Sequence, residues 1–193
     1  MPFIVALVAL VLVLPQVAAN LAPTGTLRAT FIANNPVQGR VDSTGATSGP
    51  APDLARELAR RLGVPPNITP LPNAGAVMES VKTGKADIGF LAYEAARAEQ
   101  VDFSDSYLVS GSAYAVRADS SIRNSADVDR PGVTVGAVSG QSQEVWVREH
   151  IKSARINSLP TVPANYALAA MLLDGRIQAF AANRTRMEEL VRA

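Results

Sequence analysis

Apolar residues recur along this chain at two spacings, three to four residues apart in some stretches and in short unbroken runs in others, which predicts helices alternating with strands. The stretch GTLRATFIA (25–33) reads as a turn followed by a strand, and NNPVQGRVDSTGATSGPAP (34–52), dense in Gly, Pro, Ser and Asn, as a loop. Asp53 then opens DLARELARRLG, where Leu54, Ala55, Leu58, Ala59 and Leu62 share one helical face and Gly63 ends the helix. NITPLP (67–72) is a short strand candidate. AGAVMESVKTGKAD (74–87) is a second helix that turns Val77, Met78 and Val81 inward and stops at Gly84. DIGFLAY (87–93) is apolar enough for a strand buried in a parallel sheet. This β-loop-α-β-α-β order is the pattern of a doubly wound sheet.

The texture changes after Tyr107, and a second α/β unit is expected from about Ser110. SGSAYAVRAD (110–119) is extended, and SSIRNSADVDRPG (120–132) is a loop with room for a short helix. VTVGAV (133–138), INSLPTV (156–162) and IQAFAA (177–182) read as strands. They alternate with helices over SGQSQEVWVREHI (139–151, entered through its Gly/Ser loop), NYALAAMLLDG (165–175) and RTRMEELVRA (184–193). The domain expectation is therefore residues 20–109 and 110–193, preceded by a leader over 1–19.

That leader is an unbroken apolar run from Phe3 to Leu14 followed by small residues at Val17 and Ala19, the −3 and −1 positions of a signal-peptidase site. At about 1.5 Å per residue the run is too short for a bilayer core of roughly 30 Å. Export to the periplasm with cleavage after Ala19 is expected, although no Lys or Arg precedes the run; an uncleaved anchor or a misplaced start codon is the alternative.

Composition narrows the chemistry. With 48% apolar and 18% charged residues the 193-residue chain is globular rather than disordered. A net charge of +1 with no basic stripe speaks against a nucleic-acid partner. The absence of cysteine excludes disulfides, thiolate zinc sites, cysteine nucleophiles and lipid attachment through an N-terminal cysteine. His150, the one histidine, stands near a helix end, where the macrodipole favours it, and cannot build a multi-histidine metal site. No phosphate-binding glycine motif follows a strand, and GAVSG (136–140) lacks the serine spacing of a nucleophile elbow. No metal and no cofactor are expected.

What remains is anion-binding chemistry. Arg97 follows the DIGFLAY strand through a short loop, where ligands of open α/β sheets collect, and its planar fork suits a carboxylate. Its acidic neighbours Glu99, Asp102 and Asp105 offer the other reading, a surface ion pair contributing roughly 0–1 kcal/mol. SGQS (139–142) opens a helix after a strand, so its N–H groups can face an anion or simply cap the helix.

GTLR, LARELARRLG, VKTGKADIGF, RAEQVDFSDSY, VTVGAVSGQSQE and LLDGRIQAF, in this order, resemble the extracellular solute-binding proteins of the polar amino-acid family, the binding subunits of ABC importers. The likeness covers nearly all of residues 24–193, and the run 84–107 is its most characteristic part. It implies a two-lobe α/β fold of the type II periplasmic-binding kind, with a small carboxylate-bearing solute held in the cleft and a membrane permease as partner. Carried over by position, Arg97 grips the solute α-carboxylate, Gln141 and Ser142 touch the same carboxylate, Ala92 lies in a loop whose backbone contacts solute, and Asn183 stands where an aspartate usually meets the ligand ammonium. Asp102, Phe103 and Tyr107 match the structural segment that leads into the first crossover.

Four departures qualify the match. The loop between Asp87 and Arg97 is about two residues shorter than is usual for the family, NNPVQGR lacks the stacking aromatic ring, and neutral Asn183 favours a carboxylate without an amine as a rival ligand. The family chain also continues beyond the last helix, so an incomplete C-terminus lacking the second crossover is expected after MEELVRA. The resemblance leaves two rival functions. One is an enzyme on the same fold, such as a dehydratase of carboxylated ring compounds using Glu94, Glu144 or Asp105 as acid or base; the other is a solute-sensing domain.

Overall fold

The computed structural model describes residues 17–192, and all but the last few positions of the expected leader lie outside them. The chain opens with β1 (Leu27–Ile32), a two-stranded hairpin of β2 (Arg40–Val41) and β3 (Thr47–Ser48), and α1 (Pro50–Leu62). β4 (Pro66–Leu71), α2 (Ala74–Lys82), β5 (Ile88–Gly89) and the four-residue α3 (Ala95–Ala98) follow. Parallel strands in the order β4-β1-β5 form the first sheet.

A second sheet is built from β6 (Ser112–Val116), β7 (Thr134–Val138), β8 (Arg155–Leu159) and β9 (Ala179–Asn183), in the order β6-β9-β7-β8. β7 runs parallel to both β8 and β9, and β6 runs antiparallel to β9. A 3-10 turn (Ser125–Val128) lies between β6 and β7, α4 (Ser142–His150) and α5 (Asn165–Leu173) make the crossovers, and α6 (Arg184–Arg192) leaves directly from β9.

Burial follows strand alternation most clearly at β9. Ala179 and Ala181 face a core with Val128, Val135 and Val147, while Phe180 and Ala182 face the opposite one with Leu168, Ile177 and Met187. A glycine is required beneath Phe180: a Cβ at Gly136 would stand 2.9 Å from its ring and 3.0 Å from Ile177.

Three expectations are corrected by the first sheet. α1 starts at Pro50 rather than Asp53, because proline brings a helical φ and lacks the N–H that the first turn leaves unbonded. Its buried face is Ala51, Ala55 and Ala59, small enough for close packing on the sheet, so Leu54 is exposed. DIGFLAY is not a buried strand. Only Ile88 and Gly89 pair, at the sheet edge, since among the described residues β5 has β1 as its sole neighbour. The stretch is anchored instead by Asp87, whose carboxylate accepts from the Arg28 backbone N–H at 2.8 Å and from its guanidinium.

Candidate functional site

The two sheets meet along a seam where the elements leaving one face the elements leaving the other. Arg97 lies at the seam, on α3. Its Nη1 donates to the Ala92 carbonyl at 2.7 Å and its Nη2 crosses to the Gly140 carbonyl, just before α4, at 2.6 Å. Among the described residues it forms no salt bridge, so the ion pair with Glu99, Asp102 or Asp105 is not made. Burial lowers its pKa, an effect the nearby charge of Glu94 opposes. The segment behind it is held by aromatic edges: Phe90 meets Tyr107 at 5.6 Å and Tyr93 meets Phe103 at 5.3 Å between ring centroids.

Gln141 precedes α4 and is buried with its amide nitrogen unpartnered; the Ser142 hydroxyl beside it is also buried without a partner. The SGQS turn is only partly available to an anion, because the Gly140 N–H is taken by the Glu144 carboxylate at 3.2 Å. Glu144 also accepts from Arg148 and, at 2.7 Å, from the Ser158 hydroxyl. Burial would raise its pKa, but these bonds outweigh it and hold the carboxyl below its ordinary value.

Asn183, at the end of β9, is buried. Its amide donates to Asn35 Oδ1 at 3.1 Å across the seam, and its own oxygen accepts the Arg186 N–H at 2.8 Å. Asn35, Gln141, Asn183 and Arg186 line one cavity whose apolar wall includes Val138, Val162 and Phe180. The space is about 10 Å³, room for roughly one water and for no larger solute. The structure thus brings Gln141 and Asn183 to a common cavity and Arg97 to the residue preceding Gln141, with Ala92 behind Arg97.

Two residues of this constellation escaped the sequence reading. Asn35 sits in a Gly/Pro-rich loop with no periodicity to place it. Arg186 was legible from a helix-start pattern, since an asparagine just before a helix accepts the N–H of the residue three positions on, which sets Arg186 beside Asn183 and the inward-facing Met187. Among the described residues no cluster of three or more His, Cys, Asp or Glu could hold a metal ion. His150 lies outside the seam, stacked on Trp146 at 4.3 Å at the end of α4.

Two α/β lobes with polar side chains facing across a seam define a type II periplasmic-binding fold. The family model of the bacterial extracellular solute-binding proteins, family 3, matches residues 27–190, and the chain belongs to that family. Among solved structures it is similar to the ancestral amino acid-binding protein AncCDT-1, a precursor of cyclohexadienyl dehydratase: TM-score 0.80, 25% identity, over 92% of this chain and 79% of that one. It is also similar to an arginine-bound mutant of ArgBP from T. maritima, with TM-score 0.77, 26% identity, and coverage of 91% and 81%. An ancestral arginine-binding protein bound to glutamine matches with TM-score 0.75 and 27% identity, over 87% of this chain and 73% of that one. No curated protein matches by sequence.

Proposed function

We propose that this protein is the periplasmic binding component of an ABC importer, and that it captures a small carboxylate-bearing solute, an amino acid or related compound, between its lobes for delivery to a membrane permease. The observation that carries the reading is Arg97: a cation at the seam, bonded to carbonyls on both sides of it and to no carboxylate. A solute carboxylate replaces those carbonyls with a charge-assisted, two-bonded pair. Gln141 and Ser142 supply the unpartnered polar atoms beside it, Ala92 holds the Arg97 fork, and Asn183 faces the far end of the solute. Residues 20–109 and 110–193 move as the two bodies, and closure over the solute is a hinge transition recognised by the permease. Residues 1–19 act as the export leader, a reading supported by the apolar run and the small residues Val17 and Ala19.

The dehydratase reading loses one of its acid/base candidates, because Glu144 is held ionised by Arg148, Ser158 and the Gly140 N–H. Calorimetry with amino and organic acids, with turnover followed in parallel, separates the two. Saturable heat with unaltered solute is expected, and a product peak would overturn the binding reading. Asn183→Asp supplies the charge that the neutral amide lacks and should shift preference toward zwitterionic solutes over simple carboxylates by about tenfold, or 1.4 kcal/mol. An unchanged preference would remove Asn183 from the site.

A further inference from the structure

Arg186 is the least expected group in the cavity. The residue is 7% exposed, yet among the described residues no carboxylate is bonded to its charge. Its Nη2 donates to the Pro163 carbonyl, its backbone N–H to Asn183, and its Nε has no acceptor at all. The acid nearest in charge, Glu189, is bonded to Arg40. A guanidinium has donors only, so the unpaired Nε calls for an acceptor from outside the side chain. Beside it in the same cavity the Gln141 amide nitrogen is also buried and unpartnered. No carboxylate lines the cavity, and Arg97 brings a second cation to Gly140, the residue preceding Gln141.

We propose that Arg186 is a second anion subsite, so that the cleft selects solutes with two acidic groups, a dicarboxylate or an acidic amino acid, and rejects cationic side chains. This rests on the solute-binding reading above and specifies it: Arg97, with Gln141 and Ser142, takes one carboxylate, and Arg186 takes the other. The neutral Asn183 fits the same solute, since an aspartate there would add a negative charge next to the second carboxylate. Burial lowers the Arg186 pKa, the effect of a desolvated cation without its counter-ion.

The test is calorimetry on the wild type and on Arg186→Gln with four probes: glutarate, L-glutamate, L-glutamine and L-arginine. Wild type should bind glutarate and L-glutamate at least tenfold tighter than L-glutamine, with no heat from L-arginine. Arg186→Gln should reduce the glutamate-to-glutamine ratio to below about twofold while retaining L-glutamine binding. If that variant does not fold, the wild-type ranking alone decides. L-glutamine or L-arginine binding as tightly as L-glutamate would overturn the second subsite and leave the solute-binding reading in place. Failure of all four probes on folded wild type would overturn both.

Discussion

β9 buries all five of its residues, whereas β5 contributes only Ile88 and Gly89, neither of them buried. Both strands end at the seam, and both lead into candidate site residues at or beyond their ends. β9 has a partner on each side and apolar side chains against both faces, so Asn183 and Arg186 start from a backbone that is fixed on both edges and both faces. β5 has one partner, and the α3 turn beyond it buries none of its residues. Arg97 is therefore placed mainly by its bonds to Ala92 and Gly140. The second lobe thus holds its seam residues on a packed, doubly paired strand, and the first holds Arg97 on a short turn beyond an edge strand.

The largest effect expected from this contrast is on stability. Phe180→Ala removes a side chain 1% exposed and should cost about 3–5 kcal/mol, whereas Ile88→Ala at the sheet edge should cost about 1 kcal/mol. Urea denaturation of the two variants measures the difference, and equal costs would remove the asymmetry between the lobes.

Acid should weaken each lobe through one buried carboxylate. Burial tends to raise the pKa of Asp87, but its bonds to Arg28 outweigh that and leave it lowered; Glu144 is likewise lowered by Ser158, the Gly140 N–H and Arg148. A depressed folded pKa contributes stability above the unfolded value, about 3.9 for Asp and 4.3 for Glu, and loses it as pH falls through the folded value. Urea midpoints should stay level from neutral pH to about 5 and drop below about 4. Asp87→Asn should flatten part of that drop, and an unchanged slope would show that Asp87 does not contribute.

The smallest effect concerns the outer rim of the seam. Arg40 and Glu189 pair across it, but the arginine side chain is 61% exposed, so Arg40→Ala should change solute affinity by less than about 1 kcal/mol. A larger loss would move the clamp from Arg97 toward the rim.

Most elements of the second lobe were legible because periodicity and burial agree there: VTVGAV, IQAFAA and the helices between them emerge close to their expected bounds. DIGFLAY misled for a physical reason. An apolar run reports what a strand could bury, not how many neighbours it has, and β5 has one. Leu54 misled because the α1 face is set by alanines that let the helix approach the sheet. At the candidate site, Arg97 stood out by its position after a strand, and its neighbours offered an equally good ion pair by composition. The carbonyl partners Ala92 and Gly140, which stand in place of that ion pair, lie 48 residues apart and meet only through the fold.

The central claim is that Arg97 holds the solute carboxylate across the seam. The most direct test is solute affinity by calorimetry for wild type, Arg97→Ala and Arg97→Lys, using whichever acid the wild type binds. A buried charge-assisted pair predicts a loss of about 2–5 kcal/mol for Arg97→Ala. Only partial recovery is expected with lysine, whose ammonium cannot present the two-pronged fork. An Arg97→Ala protein that folds and binds the acid as tightly as wild type would contradict the account.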